Sequence, residues 1–140
     1  MPPQKPITVE ICAIDRASYR LEAHEVLLPG ELGLFAVLPG HAPLVATLDI
    51  GTVRVRLTSG ETKLFAINGG LVRVFQDEVL VLSRTAEGPS DIDVERAQAS
   101  RERAQGRLSG SLDDIDTIRA HAALRRAVAR LDAAGASAHA

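Results

Sequence analysis

All four aromatic residues of this 140-residue chain, Tyr19, Phe35, Phe65 and Phe75, lie before Pro89, and so do eight of the eleven glycines. Pro89 is itself the last of seven prolines, and the residues after it are rich in Ala and Arg. Such a break separates a part made of short, turn-punctuated segments from a part able to carry uninterrupted helices. The sequence predicts a first domain over 1–87 and a second over 88–140, the latter ending in a short flexible tail.

In the first part, β-branched runs alternate with turn residues. Ile7 to Ile14 and about Tyr19 to Leu28 read as strands, and Pro29-Gly30 as a turn. Thr52 to Thr58 alternates strictly, sending Arg54 and Arg56 to water and Val53, Val55 and Leu57 to a core. Ser59-Gly60 predicts a hairpin into Glu61 to Ile67, and Asn68-Gly69-Gly70 a second one into Leu71 to Phe75. Gln76-Asp77 then turns the chain into Val79 to Leu82. Turns at this spacing favour a β-sandwich or closed antiparallel sheet over a parallel α/β fold.

The second part changes period. Ser90, with Asp93 three residues on, reads as the cap of a helix from about Asp91 to Leu108. Ser109-Gly110-Ser111 is a turn, and Ser111 with Asp114 predicts a second capped helix reaching about Ala133. This is an antiparallel α-helical hairpin appended to an all-β domain. Its apolar stripe is thin: Ala97, Ala104 and Leu108, then Leu112, Ile115, Ile118, Leu124, Val128 and Leu131. So little apolar surface predicts a hairpin that packs weakly on the β domain and changes position. Gly106 and Gly110 weaken the first helix further, by up to about 1 kcal/mol each where helical.

Charge and motif content exclude several kinds of chemistry. Sixteen Lys plus Arg against eighteen Asp plus Glu give a net charge of -2 and no field for nucleic acid. No apolar run is long enough to span a membrane, so membrane contact is expected only through a partner. Cys12 is the only cysteine, which rules out a disulfide framework, and it reads as a small buried core residue. A P-loop is absent, and Lys5 and Lys63 are the only lysines. The histidines His24, His41, His121 and His139 show no metal-ligand spacing, which leaves a fold-assembled site at His24 and His41 as the one enzyme-like reading. No catalytic constellation and no metal site is predicted.

Two segments carry more information. Gly30 to Val45 is an apolar stretch between Pro-Gly turns, readable as an inward-facing connection or as a docking surface with Glu31 and His41 as polar contacts. Glu87 to Ala97, together with Arg126 and Arg130, is readable as a solvated, salt-bridged helix pair or as an anion site. In the second reading Asp93, Arg96 and Ala97 share a helix face and a hairpin carries the arginines opposite them. A free-standing β-sandwich binding module with a dimerising hairpin stands as the alternative to any larger assembly.

Gly30-Glu31-Leu32-Gly33, Leu38-Pro39-Gly40-His41-Ala42-Pro43-Leu44, Asn68-Gly69-Gly70, and Asp91-Ile92-Asp93 with Arg96-Ala97 occur in the order found in epsilon subunits of bacterial F-type ATP synthases. The resemblance runs from about Ile7 to Leu131. It implies a non-catalytic rotor subunit of the central stalk that couples ion-driven rotation to ATP synthesis, with gamma, the c-ring, alpha and beta as partners. Its place would be peripheral, on the cytoplasmic face of the bacterial inner membrane. Glu31 would face the ring and His41 the gamma interface, and the hairpin would fold down or extend to block hydrolysis. Relatives that bind ATP as a regulatory ligand imply Glu87, Asp93, Arg96, Ala97, Arg126 and Arg130 as the binding residues, with no required cofactor. The segment Leu34 to Leu38 is longer than the family's usual connection.

Overall fold

The computed structural model describes residues 5–14, 16–110 and 112–135. Among these residues seven strands precede two helices: β1 (Ile7–Ala13), β2 (Arg16–Gly30), β3 (Gly33–Val37), β4 (Leu44–Leu57), β5 (Thr62–Phe75), β6 (Glu78–Ser83), β7 (Ala86–Glu87), then α1 (Val94–Leu108) and α2 (Asp114–Ala133). The sheet runs β1-β6-β5-β4-β2-β3, and an additional β1–β2 pairing closes it on itself. The expected β-sandwich forms as a sheet closed into a barrel, with β3 paired to β2 at the end of the strand order. One pair, β1 with β6, is parallel.

Alternation builds the core. Val9 and Ile11, Val53 and Val55, Val72 and Val74, and Val79 and Val81 are all buried, joined by Val26, Leu28 and Val37. Arg54 and Arg56 are exposed, as the strict alternation of that segment requires. Cys12 is half-buried rather than core, because Ile11 takes the inward position and the next side chain points out. Desolvation, followed by the nearby Glu10 carboxylate, raises its thiol pKa and keeps it protonated.

The expected hairpin at Asn68-Gly69-Gly70 does not form. Residues 62–75 are one strand in unbroken register with β4, from Arg56 opposite Thr62 to Leu44 opposite Val74. The two glycines instead mark a corner where the second neighbour of β5 changes from β7 (at Ala66 and Ile67) to β6 (at Leu71 to Phe75). At Gly70 φ is +130°, and a Cβ would stand 1.9 Å from the Leu82 carbonyl oxygen, so only glycine fits. The Gln76-Asp77 turn forms as expected, with φ of 48° and 60°.

Both helices start later than capping serines would place them. Pro89–Asp91 is a 3-10 turn, Ile92 is extended, and Asp93 caps α1 by accepting from the Arg96 amide at 3.1 Å. Ile92 packs with Leu64, Ala66, Ala129 and Ala133, and that burial holds it out of helical geometry. Asp113 caps α2 at 2.7 Å from the Asp116 amide, while Ser111 lies outside the described residues. Of the two helix-weakening glycines, Gly106 is helical and Gly110 follows the C-cap Ser109.

α2 packs on β4 and β5, and α1 packs on α2. The seam is alanine: Ala97 and Ala104 on α1, Ala120, Ala127, Ala129 and Ala133 on α2, with Leu131 the single large buried side chain. Ile115 and Ile118, expected in the stripe, are 63% and 68% exposed, and Val128 also faces solvent. Small side chains permit a close approach that larger ones would prevent, so the apolar period does not select the buried face. Arg101, between Ala97 and Ala104 on the same face, has its Nε buried without a hydrogen-bond partner among the described residues, which carries a desolvation cost.

Candidate functional site

Two regions concentrate chemistry. The first is a cleft of about 260 Å³ where β7, the link after it, the start of α1 and the end of α2 meet, lined by Glu87, Asp91, Asp93, Arg96, Ala97, Ser100 and Arg130. Arg130 reaches Glu87 with Nε and Nη2, both at 3.2 Å. Asp93 is fixed by its capping bond, and Ala97 is buried beneath it. Five of the six residues expected to hold ATP thus converge. Arg126 does not line this cleft; it opens on a small neighbouring recess with Ala66, Thr85, Glu87 and Arg130. The guanidiniums of Arg96 and Arg126 make no ion pair among the described residues, so both are available to an anion.

Asp91 is a site residue that sequence reasoning does not single out. Its carboxylate lines the cleft while accepting from the Tyr19 hydroxyl, from the Gly88 amide at 3.1 Å and from Arg16, 3.0 Å away. The Tyr19 bond first, then the Gly88 and Arg16 contacts, hold its carboxyl below the ordinary aspartate pKa against the opposing effect of burial. Asp91-Ile92-Asp93 draws attention to the segment, but nothing local points to partners more than seventy residues earlier.

The second region is on the barrel. Glu31 and Leu32 form the exposed β2–β3 turn, with the Thr47 hydroxyl donating to Glu31 Oε2 at 2.8 Å. His41 sits in the turn before β4, its Nδ1 2.6 Å from the Ala42 carbonyl oxygen. Asp77 accepts from the Gly40 amide at 2.7 Å, which anchors that turn to the β5–β6 hairpin. Glu31 and His41 therefore flank the first half of β4 on separate turns. Residues Gly33–Val37 form a strand with Val37 buried and Leu34 exposed, so the stretch is part connection and part surface.

Sequence reasoning misses the outward face of β4, β5 and β6. Val45, Leu71, Phe75 and Leu82 are all exposed there, with Leu71 opposite Leu82 and Arg73 opposite Val45 and Leu80. Apolar side chains grouped in this way on an open sheet face suit contact with a partner. The signal for it is the presence of apolar residues at the outward positions of alternating strands. Among the described residues no group of three His, Cys, Asp or Glu side chains stands together as metal ligands.

Comparison with known proteins covers both domains. The family model for the ATP synthase delta/epsilon chain β-sandwich domain matches residues 6–89, and that for the delta/epsilon long α-helix domain matches residues 90–135. The chain is 45% identical over 131 residues to the ATP synthase epsilon chain of Bacillus subtilis, covering 94% of this chain and 98% of that one. It is 44% identical, with the same coverage, to the epsilon chain of Bacillus velezensis. Among solved structures it is similar to a chain of the Euglena gracilis mitochondrial ATP synthase, with a TM-score of 0.77 at 24% identity, covering 92% of this chain and 81% of that one. A chain of the Tetrahymena thermophila mitochondrial ATP synthase central stalk and c-ring gives 0.62 at 12%, covering 94% and 98%. At these identities the structural likeness is one of fold.

Proposed function

The chain belongs to the ATP synthase epsilon-chain family, and from that premise we propose that it is a rotor subunit whose hairpin senses ATP and restrains hydrolysis. As an epsilon chain it is a non-catalytic part of the complex, and the matches across both domains set aside a free-standing module. The barrel grips gamma through the Val45, Leu71, Phe75 and Leu82 face, with His41 at its margin, and meets the c-ring through Glu31 and Leu32. Alpha and beta are the partners of the extended hairpin. No helix among the described residues is long and apolar enough to cross a membrane, and the chain is held at the cytoplasmic face of the inner membrane by the complex.

The convergence of Glu87, Asp93, Arg96, Ala97 and Arg130 on one cleft supports the regulatory reading. Its walls come from the barrel's last strand and from both helices, so the cleft is complete only with the hairpin folded down. Asp93, its backbone role fixed, has an oxygen able to accept from an adenine amino group, while Arg96 and Arg126 supply forks for phosphate. The volume lies just below the usual range for a ligand site, so the cleft holds only part of a nucleotide and the phosphates run outward towards the Arg126 recess.

Magnitudes favour a switch. The folded position rests on a small contact of Ala66, Ala129 and Ala133 with Leu64 and Ile92, and on part-exposed ion pairs, each pair worth up to about 1 kcal/mol. ATP at a hundredfold excess over its Kd adds about 2.7 kcal/mol to whichever state binds it. A ligand of ordinary affinity is therefore enough to move the population. Calorimetry of the isolated full chain with ATP, repeated on Asp93→Ala and Arg126→Ala, tests the site. Absence of heat at millimolar ATP would remove the sensing role and leave the rotor role intact.

A further inference from the structure

We propose that Asp91, clamped by Tyr19 and Arg16 of β2, is the element that couples the position of the hairpin to the charge of the cleft. Asp91 ends the 3-10 turn through which the chain leaves the barrel, and it precedes the α1 cap Asp93 by two residues. Tyr19 donates to Asp91 Oδ2, Arg16 Nη1 lies 3.0 Å from the same oxygen and 3.2 Å from the Tyr19 hydroxyl, and the Gly88 amide donates to it at 3.1 Å. The three donors converge on one carboxylate oxygen from two places in the chain, β2 and the end of the barrel. The Tyr19 ring is itself held against Phe65, centroids 4.9 Å apart, so the hydroxyl is carried by a packed side chain.

Asp91 also lines the cleft with Glu87, Asp93, Arg96 and Arg130. With the clamp closed, its charge is compensated from the barrel side and Arg96 faces an entering anion with less opposition. With the clamp open, a carboxylate without its barrel partners stands in the lining of the cleft that the anion must enter. The bonds that hold the link down are thus the bonds that make the cleft receptive to an anion, and by linkage an anion in the cleft must favour the clamped state by the same factor. This rests on the nucleotide reading for its ligand, but the clamp itself acts on hairpin position with or without one.

The test uses the full chain with Cys12→Ser and spin labels at Ser109 and Glu61, reading the distance between the α1–α2 turn and the barrel, alongside calorimetry with ATP. Tyr19→Phe is the discriminating variant: it keeps the ring on Phe65, leaves net charge unchanged and touches no residue that reaches for phosphate. It should raise the detached-to-folded ratio about threefold or more and weaken ATP binding in proportion to the loss of folded-down fraction, with the unfolding midpoint of the barrel unchanged. Arg16→Gln should act in the same direction, and Glu22→Gln should do neither. Unchanged distances in both clamp variants would overturn the proposal, as would weaker ATP binding without any change in distance. If the parent chain gives no heat with ATP, the nucleotide reading fails separately and the distance measurement alone decides the clamp.

Discussion

Arg130 donates from Nε and Nη2 to the same oxygen of Glu87, each at 3.2 Å, and so joins the end of the last helix to the last strand across 43 residues of sequence. Arg130 and Glu87 remain 33% and 20% exposed, so solvent screens the pair and its contribution stays near 1 kcal/mol. Arg130→Ala should raise amide exchange in the last turns of α2 by roughly fivefold and leave exchange in β1, β5 and β6 unchanged. Equal acceleration in the barrel would mean that the hairpin is not an independent unit.

Acid should release the hairpin. Arg125 on α2 bonds Asp49 on β4 at 2.5 Å, and this bond above all holds the Asp49 carboxyl below the ordinary value of 3.8, as the Tyr19 bond does for Asp91. Both folded pKa values are depressed, so their stabilisation is complete above the unfolded value and disappears as pH falls through the folded values. Hairpin amide protection should be flat from neutrality to about pH 5 and drop below about pH 4. The double variant Arg125→Ala, Asp91→Asn should lose most of that pH dependence.

Two glycines should respond in opposite directions to alanine. Gly70→Ala puts a Cβ 1.9 Å from the Leu82 carbonyl oxygen at a φ of +130°, and denaturant unfolding should show the barrel weakened by more than about 2 kcal/mol. Gly106→Ala, in α1 with no atom within 4 Å of the new Cβ, should stabilise the hairpin by about 0.5–1 kcal/mol.

The alternation of apolar and polar residues makes most of the barrel legible, because burial of one face leaves a period of two in the sequence. The corner at Gly69-Gly70 is not legible: the same dipeptide geometry serves a reversal or a bend, and the choice depends on the continuous pairing of β5 with β4. Helix starts are misread because Ser90 is a plausible local cap, whereas burial of Ile92 against Ala66 and Ala129 decides where α1 begins. In the site, the spacing of Asp93, Arg96 and Ala97 is readable as one helix face. That Glu87 meets Arg130, and Asp91 meets Tyr19, depends on how the hairpin lies on the barrel, which no local pattern encodes.

The outward sheet face offers a separate test of assembly. Val45→Asp with Phe75→Ser changes two exposed side chains and should leave the unfolding midpoint of the isolated chain within a few degrees of the parent. It should reduce copurification with gamma severalfold. Undiminished copurification would move the gamma contact to another surface.

Most direct for a rotor subunit with a restraining hairpin is ATP hydrolysis by the reconstituted complex carrying either the full chain or a chain ending after Glu87. The expected result is hydrolysis severalfold faster with the truncated chain at low ATP, a difference that shrinks as ATP rises and favours the folded-down state. Equal rates at every ATP concentration, with both chains fully incorporated, would contradict a regulatory hairpin.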